Sequence, residues 1–200
     1  MTMIDIEGTI RFHGHSCPGL ATGIRAAEIA LREIGPHSAD EEIVAIVETD
    51  MCGVDAIQYL TGCTFGKGNL IHLDYGKNAF TFIRRSDGKA LRIVTQPNAF
   101  GPPDLERQAL FERVRSGAAT EEEQARFSAL HGQRVQQVLD APEETLFEVR
   151  EVEPRIPARA RVIASLACDA CGEMAMETRT RRFQGRTLCM PCFEAAENRW

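Results

Sequence analysis

The stretch His13-Gly-His15-Ser-Cys17-Pro-Gly decides how the rest of the chain is arranged, because it places two imidazoles and a thiol directly before a long helix. From Pro18 onward, apolar residues recur at spacings of three and four, which is one face of an α-helix. These residues are Leu20, Ile24, Ala27, Leu31 and Ile34. Ser16 is a suitable cap for this helix, and Gly35-Pro36 end it. Cys17 is therefore predicted to lie at a helix N-terminus.

This predicted position suits the Cys17 thiol for metal binding or for nucleophilic chemistry. Unpaired N–H groups at a helix start favour a thiolate over a thiol, so we expect the pKa of Cys17 to be lowered. A thiolate beside two histidines is a suitable donor set for a borderline divalent metal. It is also a suitable environment for a nucleophilic cysteine. The remaining alternative is a buried structural cysteine next to two loop histidines.

Length and composition limit the classes of protein that are possible. Two hundred residues with 44% apolar content are enough for one core and a small appendage. The net charge of −6 argues against nucleic acid and anionic membranes as partners. No apolar run is long enough to span a membrane, and residues 1–14 lack signal-peptide features, so we expect a cytoplasmic protein. Seven cysteines then indicate metal or thiol chemistry rather than a disulfide framework.

The order of predicted elements indicates an α+β fold with a mixed or antiparallel sheet and packed helices. A β-branched strand over 43–48 is followed by a short helix that Asp50 can cap and Gly62 ends. Residues 70–73 and Ala79–Arg84 are predicted to form a hairpin, and Ala90–Thr95 a further strand.

Two polar helical segments follow, over 104–115 and 121–139, and Thr120 and Glu123 predict a capping box at the start of the second. In the first segment, Leu105 and Ala109 are expected to face inward. We see no chemistry in this helical element, and we interpret His131 as an ordinary surface or packing residue. A strand over 146–152 continues the sheet.

A candidate site combines the first loop with later chemistry-bearing residues, which are Cys52, Asp55, Cys63, Thr64 and Lys67. One physical solution is a metal held by His15, Cys17 and one further thiolate, with an open position for water or substrate. The glycine loop 62–68 with Lys67 offers a weak anion-binding signal. It is not a phosphate-binding loop of the Walker A type, because its spacing is one residue short and Asn69 follows where Ser or Thr should stand.

The last 40 residues contain two CxxC pairs, Cys168–Cys171 and Cys189–Cys192, with seventeen residues between them. Four thiolates at this spacing form a closed tetrahedral zinc site, which makes the zinc structural. A thioredoxin-like redox function would need a βαβ context that is missing here. We therefore predict a core domain over 1–160, including the helical element 104–140, and a four-cysteine zinc-binding module over 161–200 of the zinc-ribbon or treble-clef type.

Three motifs in this order resemble the FmdE family, which is named for a protein encoded with molybdenum formylmethanofuran dehydrogenase. They are the stretch His13 to Gly19, Cys52-Gly-Val-Asp55-Ala-Ile-Gln58, and Thr61-Gly-Cys63-Thr64-Phe-Gly-Lys67-Gly-Asn69. The resemblance covers about residues 10–95, and a strand near Phe147 followed by a two-CxxC tail matches longer members. It implies an α+β core, a dimer in many members and a zinc-finger tail in some.

The resemblance also implies a metal cluster in the core. Its ligands would be a subset of His13, His15, Cys17, Cys52 and Cys63, and the metal would be a divalent ion such as zinc. Gln58, Thr64, Lys67 and Asn69 would surround the cluster as ligand-binding residues, and Cys17, Asp55 and Lys67 are the candidates for catalysis. The family does not fix a reaction, because function depends on the site rather than on the fold.

Two functions compete at this point. The first is a metal-binding accessory or subunit of a redox or molybdenum-type C1 enzyme system, a homodimer whose zinc tail docks partner subunits. The second is a separate enzyme that uses a His15/Cys17 metal or the Cys17 thiolate for hydrolysis or C1-group transfer. A third, a zinc-ribbon protein that binds nucleic acid, is disfavoured by the acidic core.

Overall fold

The computed structural model describes residues 4–198, and the chain divides into two compact units, one through Arg159 and one from Ala160. The first unit packs helices on a five-stranded mixed sheet, which confirms the predicted α+β class. Its elements are α1 (Ile6–His13), α2 (Pro18–Glu33), β1 (Ile43–Val47), α3 (Gly53–Thr61), β2 (Leu70–His72), β3 (Ala79–Arg84), β4 (Ala90–Thr95), α4 (Leu105–Arg115), α5 (Glu121–Asp140), α6 (Glu143–Leu146) and β5 (Phe147–Glu151). No helix in the described range is long and apolar enough to cross a membrane.

The sheet order is β2-β1-β3-β4-β5. Strand β1 is buried on both faces, as its β-branched sequence predicts, and it pairs parallel with β2 and antiparallel with β3. The predicted hairpin of β2 and β3 is therefore wrong, because β1 lies between them. The chain leaves β1, forms α3 and returns in the same direction as β2, and such a crossover makes the new strand parallel.

Helix α1 precedes the histidine-rich stretch and was not predicted. Asp5 caps it by accepting a hydrogen bond from the Gly8 N–H, and Gly14 ends it in the left-handed conformation at φ 95°. His13 is therefore the last residue of one helix, and Cys17 immediately precedes the next. Because only a short loop separates the two helices, their chemistry-bearing ends are held close together.

Helices α2 and α3 cross at two glycines. A Cβ atom on Gly23 would lie 2.2 Å from the carbonyl oxygen of Gly53, so the two backbones are in direct contact there. Near the start of α2, a Cβ atom on Gly19 would lie 3.4 Å from the Cβ of Cys52. The close crossing brings the N-terminal ends of both helices together, and with them Cys17 and Cys52.

Helices α4 and α5 form a hairpin, and α5 packs against α2. The guanidinium of Arg25 on α2 donates hydrogen bonds to the carbonyls of Leu139 and Ala141, at the end of α5. The predicted capping box at the start of α5 is confirmed. The predicted inward face of α4 is wrong, because Leu105 is 74% exposed and Ala109 is exposed as well. Helix α4 packs on α5 rather than on the sheet.

The second unit is small, and its described residues form two short hairpins, a 3₁₀ helix over Glu177–Arg179 and one α-helix. Strands β6 (Ser165–Ala167) and β7 (Met174–Met176) pair, as do β8 (Thr180–Phe183) and β9 (Arg186–Cys189), and helix α7 covers Met190–Glu197. The Phe183 and Phe193 rings meet edge to face at 5.7 Å. Its buried cluster consists of Cys168, Leu188 and Cys189.

Candidate metal centres

The first candidate centre lies where α1, α2 and α3 meet. His13, His15, Cys17 and Cys52 each direct one ligand atom to a common point, and these atoms all lie within 4.8 Å of one another. Two come from the end of α1 and its following loop, and two from the residues that precede α2 and α3. Helix packing therefore assembles the four donors.

His13 has the hydrogen bonding of a metal ligand. Its Nδ1 lies 2.7 Å from the Oδ2 of Asp55, and its Nε2 is buried without a partner in the described chain. Metal-binding histidines commonly donate a hydrogen bond from their other ring N–H to a carboxylate, which fixes the tautomer and the ring orientation. A buried imidazole nitrogen without a partner is also costly unless something binds it. The site thus fits a metal at Nε2.

The two cysteines occupy the N-cap positions of α2 and α3, and only Cys17 forms a side-chain capping hydrogen bond. The Sγ of Cys17 accepts a hydrogen bond from the Leu20 N–H at 3.3 Å, so Cys17 caps α2 instead of Ser16. Cys52, rather than Asp50, is the cap residue of α3. The expected low pKa of Cys17 is wrong, since burial, aided by the neighbouring Cys52 thiol, raises the pKa of Cys17 despite the Leu20 N–H.

The donor set consists of two imidazole nitrogens and two sulfurs. Four such donors complete the tetrahedral shell that zinc prefers in structural sites. The structure places Cys52 as the further thiolate beside His15 and Cys17, and it adds His13 as a fourth donor. Among the four donors His15 is exposed, and its ring lies 4.4 Å from that of His13. His15 is the donor with the most direct access to solvent.

The other residues proposed for the core site lie in and around the glycine loop. Cys63 lies apart from the four donors, is fully buried, and donates a hydrogen bond to the Ile43 carbonyl at 3.4 Å. The Asn69 amide donates to the same carbonyl at 2.9 Å and accepts from the Thr64 N–H. Lys67 donates to the Ser38 carbonyl at 2.8 Å. These contacts tie the loop to the segment that leads into β1.

Gln58 connects the glycine loop with the donors. Its amide nitrogen lies 3.4 Å from the Oδ1 of Asp55, and its amide oxygen accepts from the Phe65 N–H at 3.4 Å. Since Asp55 in turn holds His13, a chain of hydrogen bonds runs from the loop to a donor. Asp55 and Gln58 are thus positioned to orient His13.

His131, on α5, also lies close to this centre, which the sequence did not indicate. Burial lowers the pKa of His131, as do the charges of Arg107 and His15, whereas the backbone of Ser16 raises it. His131 therefore faces the loop that carries His15. No motif marks it, because its proximity depends on how the helical hairpin packs against α2.

The second centre is formed by Cys168, Cys171, Cys189 and Cys192, whose sulfurs also lie within 4.8 Å of one another. The Sγ atoms of Cys171 and Cys189 are 3.9 Å apart, close to the roughly 3.8 Å edge of a tetrahedron with zinc–sulfur bonds of about 2.3 Å. Backbone N–H groups of Cys171 and Cys189 lower the pKa of Cys168 to about 6. Neighbouring thiols, Cys189 first, raise the pKa of Cys192 to about 12. Because zinc binds cysteine as the thiolate, binding of a metal would release protons from this centre.

Comparison with known proteins assigns each of the two units to a family. The model of the FmdE family, described as "FmdE, Molybdenum formylmethanofuran dehydrogenase operon", matches residues 12–148. The chain belongs to the FmdE family. Residues 163–198 match the prokaryotic dksA/traR C4-type zinc finger, so this FmdE-family chain carries a zinc-finger domain that contains the four-cysteine centre.

Two individual proteins are similar to this FmdE-family chain. A "Probable S-adenosyl-L-methionine-binding protein" of Archaeoglobus fulgidus is 39% identical over 190 residues, covering 90% of this chain. The chain spans only 50% of the length of that relative. The crystal structure of an FmdE-like protein of the tungsten formylmethanofuran dehydrogenase type, from Syntrophus aciditrophicus, superposes with a TM-score of 0.62 at 23% identity, covering 96% of this chain and 92% of that one. At this identity, the similarity to the Syntrophus aciditrophicus protein shows a shared fold.

Proposed function

We propose that this FmdE-family protein binds a divalent metal, zinc fitting best, through His13, His15, Cys17 and Cys52. The observation that carries the proposal is the buried, unpartnered Nε2 of His13, held toward three further donors by Asp55. Zinc, when bound, would supply a positive centre that fixes the loop between α1 and α2 against the start of α3. Asp55 orients the imidazole, and the Leu20 N–H stabilises the Cys17 sulfur.

Four protein donors favour an accessory role over a hydrolytic one. A catalytic zinc site keeps a position for water or substrate, whereas a complete shell of protein ligands serves structure, storage or transfer. We therefore propose that the chain is an accessory or subunit of a redox or molybdenum-type C1 enzyme system. The family description, which refers to a formylmethanofuran dehydrogenase operon, supports this role. The four-cysteine tail holds a structural zinc and docks partner subunits in this proposal.

Cobalt substitution tests the metal site. Co²⁺ bound by two thiolates and two imidazoles should give sulfur-to-cobalt charge-transfer absorption and intense tetrahedral bands, whereas the tail gives the spectrum of four thiolates. In Cys52→Ser the core contribution should weaken while the tail contribution remains. Cys63→Ser is the matched control, since Cys63 lies apart from the donors and should leave both unchanged. Identical spectra for wild type and Cys52→Ser would contradict the core site.

Affinity purification from the source cells tests the accessory role. We expect subunits of a molybdenum or tungsten enzyme to co-purify with the tagged full chain. Recovery of the chain alone, with activity toward C1 or hydrolysable substrates, would instead favour the separate enzyme. The observation that favours this second function is the exposure of His15, which gives one donor room to leave the metal for a substrate.

The relative from Archaeoglobus fulgidus suggests one candidate ligand. Because 90% of this chain aligns with it, we include S-adenosyl-L-methionine among the ligands to be tested. Equilibrium dialysis with the labelled compound measures this directly, and a stoichiometric, saturable signal would support it. Absence of binding would contradict S-adenosyl-L-methionine as a ligand of this chain.

A further inference from the structure

Helix α5 runs beside α2 in the same direction, and this fixes which of its residues reaches the core centre. Arg25 on α2 donates hydrogen bonds to the carbonyls of Leu139 and Ala141 at the end of α5. Ser16 lies nine residues before Arg25, and His131 lies eight to ten residues before that end of α5. Since both helices rise by about 1.5 Å per residue, His131 is brought to the level of Ser16. The influence of Ser16 and His15 on His131 agrees with this register.

Two cationic or potentially cationic side chains in this region have buried atoms without partners. The Nδ1 of His131 and the Nε of Arg107 on α4 are both buried and form no hydrogen bond within the described residues. The Phe127 ring lies 5.1 Å from the His131 ring and fixes it from the side. Burying these two polar atoms without a partner costs free energy. A ligand with an acceptor group would satisfy both when the His131 proton lies on Nδ1.

Arg107 differs from the other four arginines of the hairpin, of which Arg134 donates a hydrogen bond to the Phe100 carbonyl. Three of them pair with a carboxylate: Arg113 with Glu123, Arg115 with Glu112 and Arg126 with Glu106. Arg107 forms no ion pair with any residue in the range 4–198. In a chain of net charge −6 with abundant carboxylates, an unpaired arginine beside a half-buried histidine creates a local positive potential.

We propose that Arg107 and His131 bind the carboxylate of a small ligand that approaches the core metal centre alongside His15. A planar guanidinium matches the two oxygens of a carboxylate, and the imidazole adds one further donor when Nδ1 carries its proton. The helical hairpin then forms a ligand-binding wall of the core site. The inference rests on the proposed function in one respect, namely that the bound ligand lies beside a metal ion. Binding of the carboxylate by Arg107 and His131 does not itself require the metal.

Acetate is the probe for this site. We expect the His131 ring signals of the zinc-loaded full chain to shift saturably when sodium acetate replaces sodium chloride at constant ionic strength. Arg107→Gln should weaken acetate binding at least about tenfold, because a charge-assisted hydrogen bond is lost. Arg107→Lys keeps the charge without the planar fork and should weaken binding less. Arg126→Gln is the control, since Arg126 pairs with Glu106 and should leave binding unchanged.

The same samples separate this inference from the metal proposal. Thermal unfolding midpoints and zinc content are measured for each variant, and both should equal those of wild type in Arg107→Lys. Saturable acetate binding with no zinc in the core would contradict the metal function while supporting the carboxylate site. Full core zinc with no saturable shift, or equal acetate affinities in the Arg107 and Arg126 variants, would overturn the carboxylate site.

Discussion

The two candidate metal centres offer four donors each, but they lie in very different surroundings. The core donors border a large buried cluster that includes Leu20, Ile24 and Phe80, whereas the buried cluster of the tail has three residues, two of which are its own cysteines. A module of about 40 residues with so little apolar burial needs a metal to fold. The core unit has enough apolar burial to fold first and then present its donors. Metal should therefore be a condition of folding in the tail and a ligand of a folded protein in the core.

Removing one cysteine of the tail centre should have the largest effect on folding, and this effect should be confined to the tail. In Cys189→Ser we expect residues 165–200 to lose all protection from amide hydrogen exchange, while β1 and β3 exchange as in wild type. The reason is that the thiolate removed is one of four that close the tail. Normal protection in the tail of this variant would contradict a structural zinc.

Separating α2 from α3 should damage the core and its donors together. In Gly23→Ala the new methyl group would meet the Gly53 backbone, so we expect a loss of about 3 kcal/mol in the free energy of unfolding and loss of the core metal. Urea unfolding and elemental analysis measure the two effects.

Gly132→Ala is the matched control for Gly23→Ala. Gly132 lies in the middle of α5, and an alanine methyl group there would have no atom within 4 Å, so alanine should stabilise the protein by up to about 1 kcal/mol. The core metal should stay bound. Equal effects of the two substitutions would show that the helix crossing does not hold the donors together.

A more selective change removes the carboxylate behind His13. Asp55→Asn should lower the core metal affinity about 10- to 100-fold while the fold and the tail zinc stay intact, because the orienting partner of the imidazole is weakened. Competition with a chelator of known affinity measures the change. Asp74→Asn, in an exposed loop, should have no effect, and an equal loss in both variants would contradict the role of Asp55.

The smallest effect concerns the acid stability of the core, which should not depend on its metal. The Arg92 guanidinium lowers the pKa of Glu48, whose side chain is 8% exposed. This pair stabilises the fold above the unfolded pKa of about 4.5, and the contribution is lost as the pH falls through the lower folded pKa. Glu48→Gln should cost about 1.5 kcal/mol at pH 7 and little in strong acid. A constant difference across that pH range in urea unfolding would contradict this assignment.

The local patterns in the sequence were sufficient to predict much of this molecule. The apolar spacing from Leu20 to Ile34 identified α2, and the β-branched run identified β1, because both depend on neighbouring residues alone. The two CxxC pairs likewise specify a zinc module through their spacing. These predictions required no knowledge of long-range packing.

Long-range packing accounts for what the sequence did not reveal. Nothing local indicates that β1 separates β2 from β3, since strand order depends on the α3 crossover. The selection of four donors follows from a crossing at Gly23 and Gly53, which brings Cys52 to Cys17 while Cys63 stays in the interior. His131 reaches the site only through the register of α5 on α2. Each of these outcomes joins segments distant in sequence.

Metal content is the most direct test of the central claim. We would measure zinc and other divalent metals in anaerobically purified wild type and Cys17→Ser, with urea unfolding of both proteins. Two equivalents in wild type and one in a still folded Cys17→Ser would establish a core metal site held by a folded protein and separate from the tail. One equivalent in both proteins would contradict the core site, and the cluster at His13 would then have to serve another ligand.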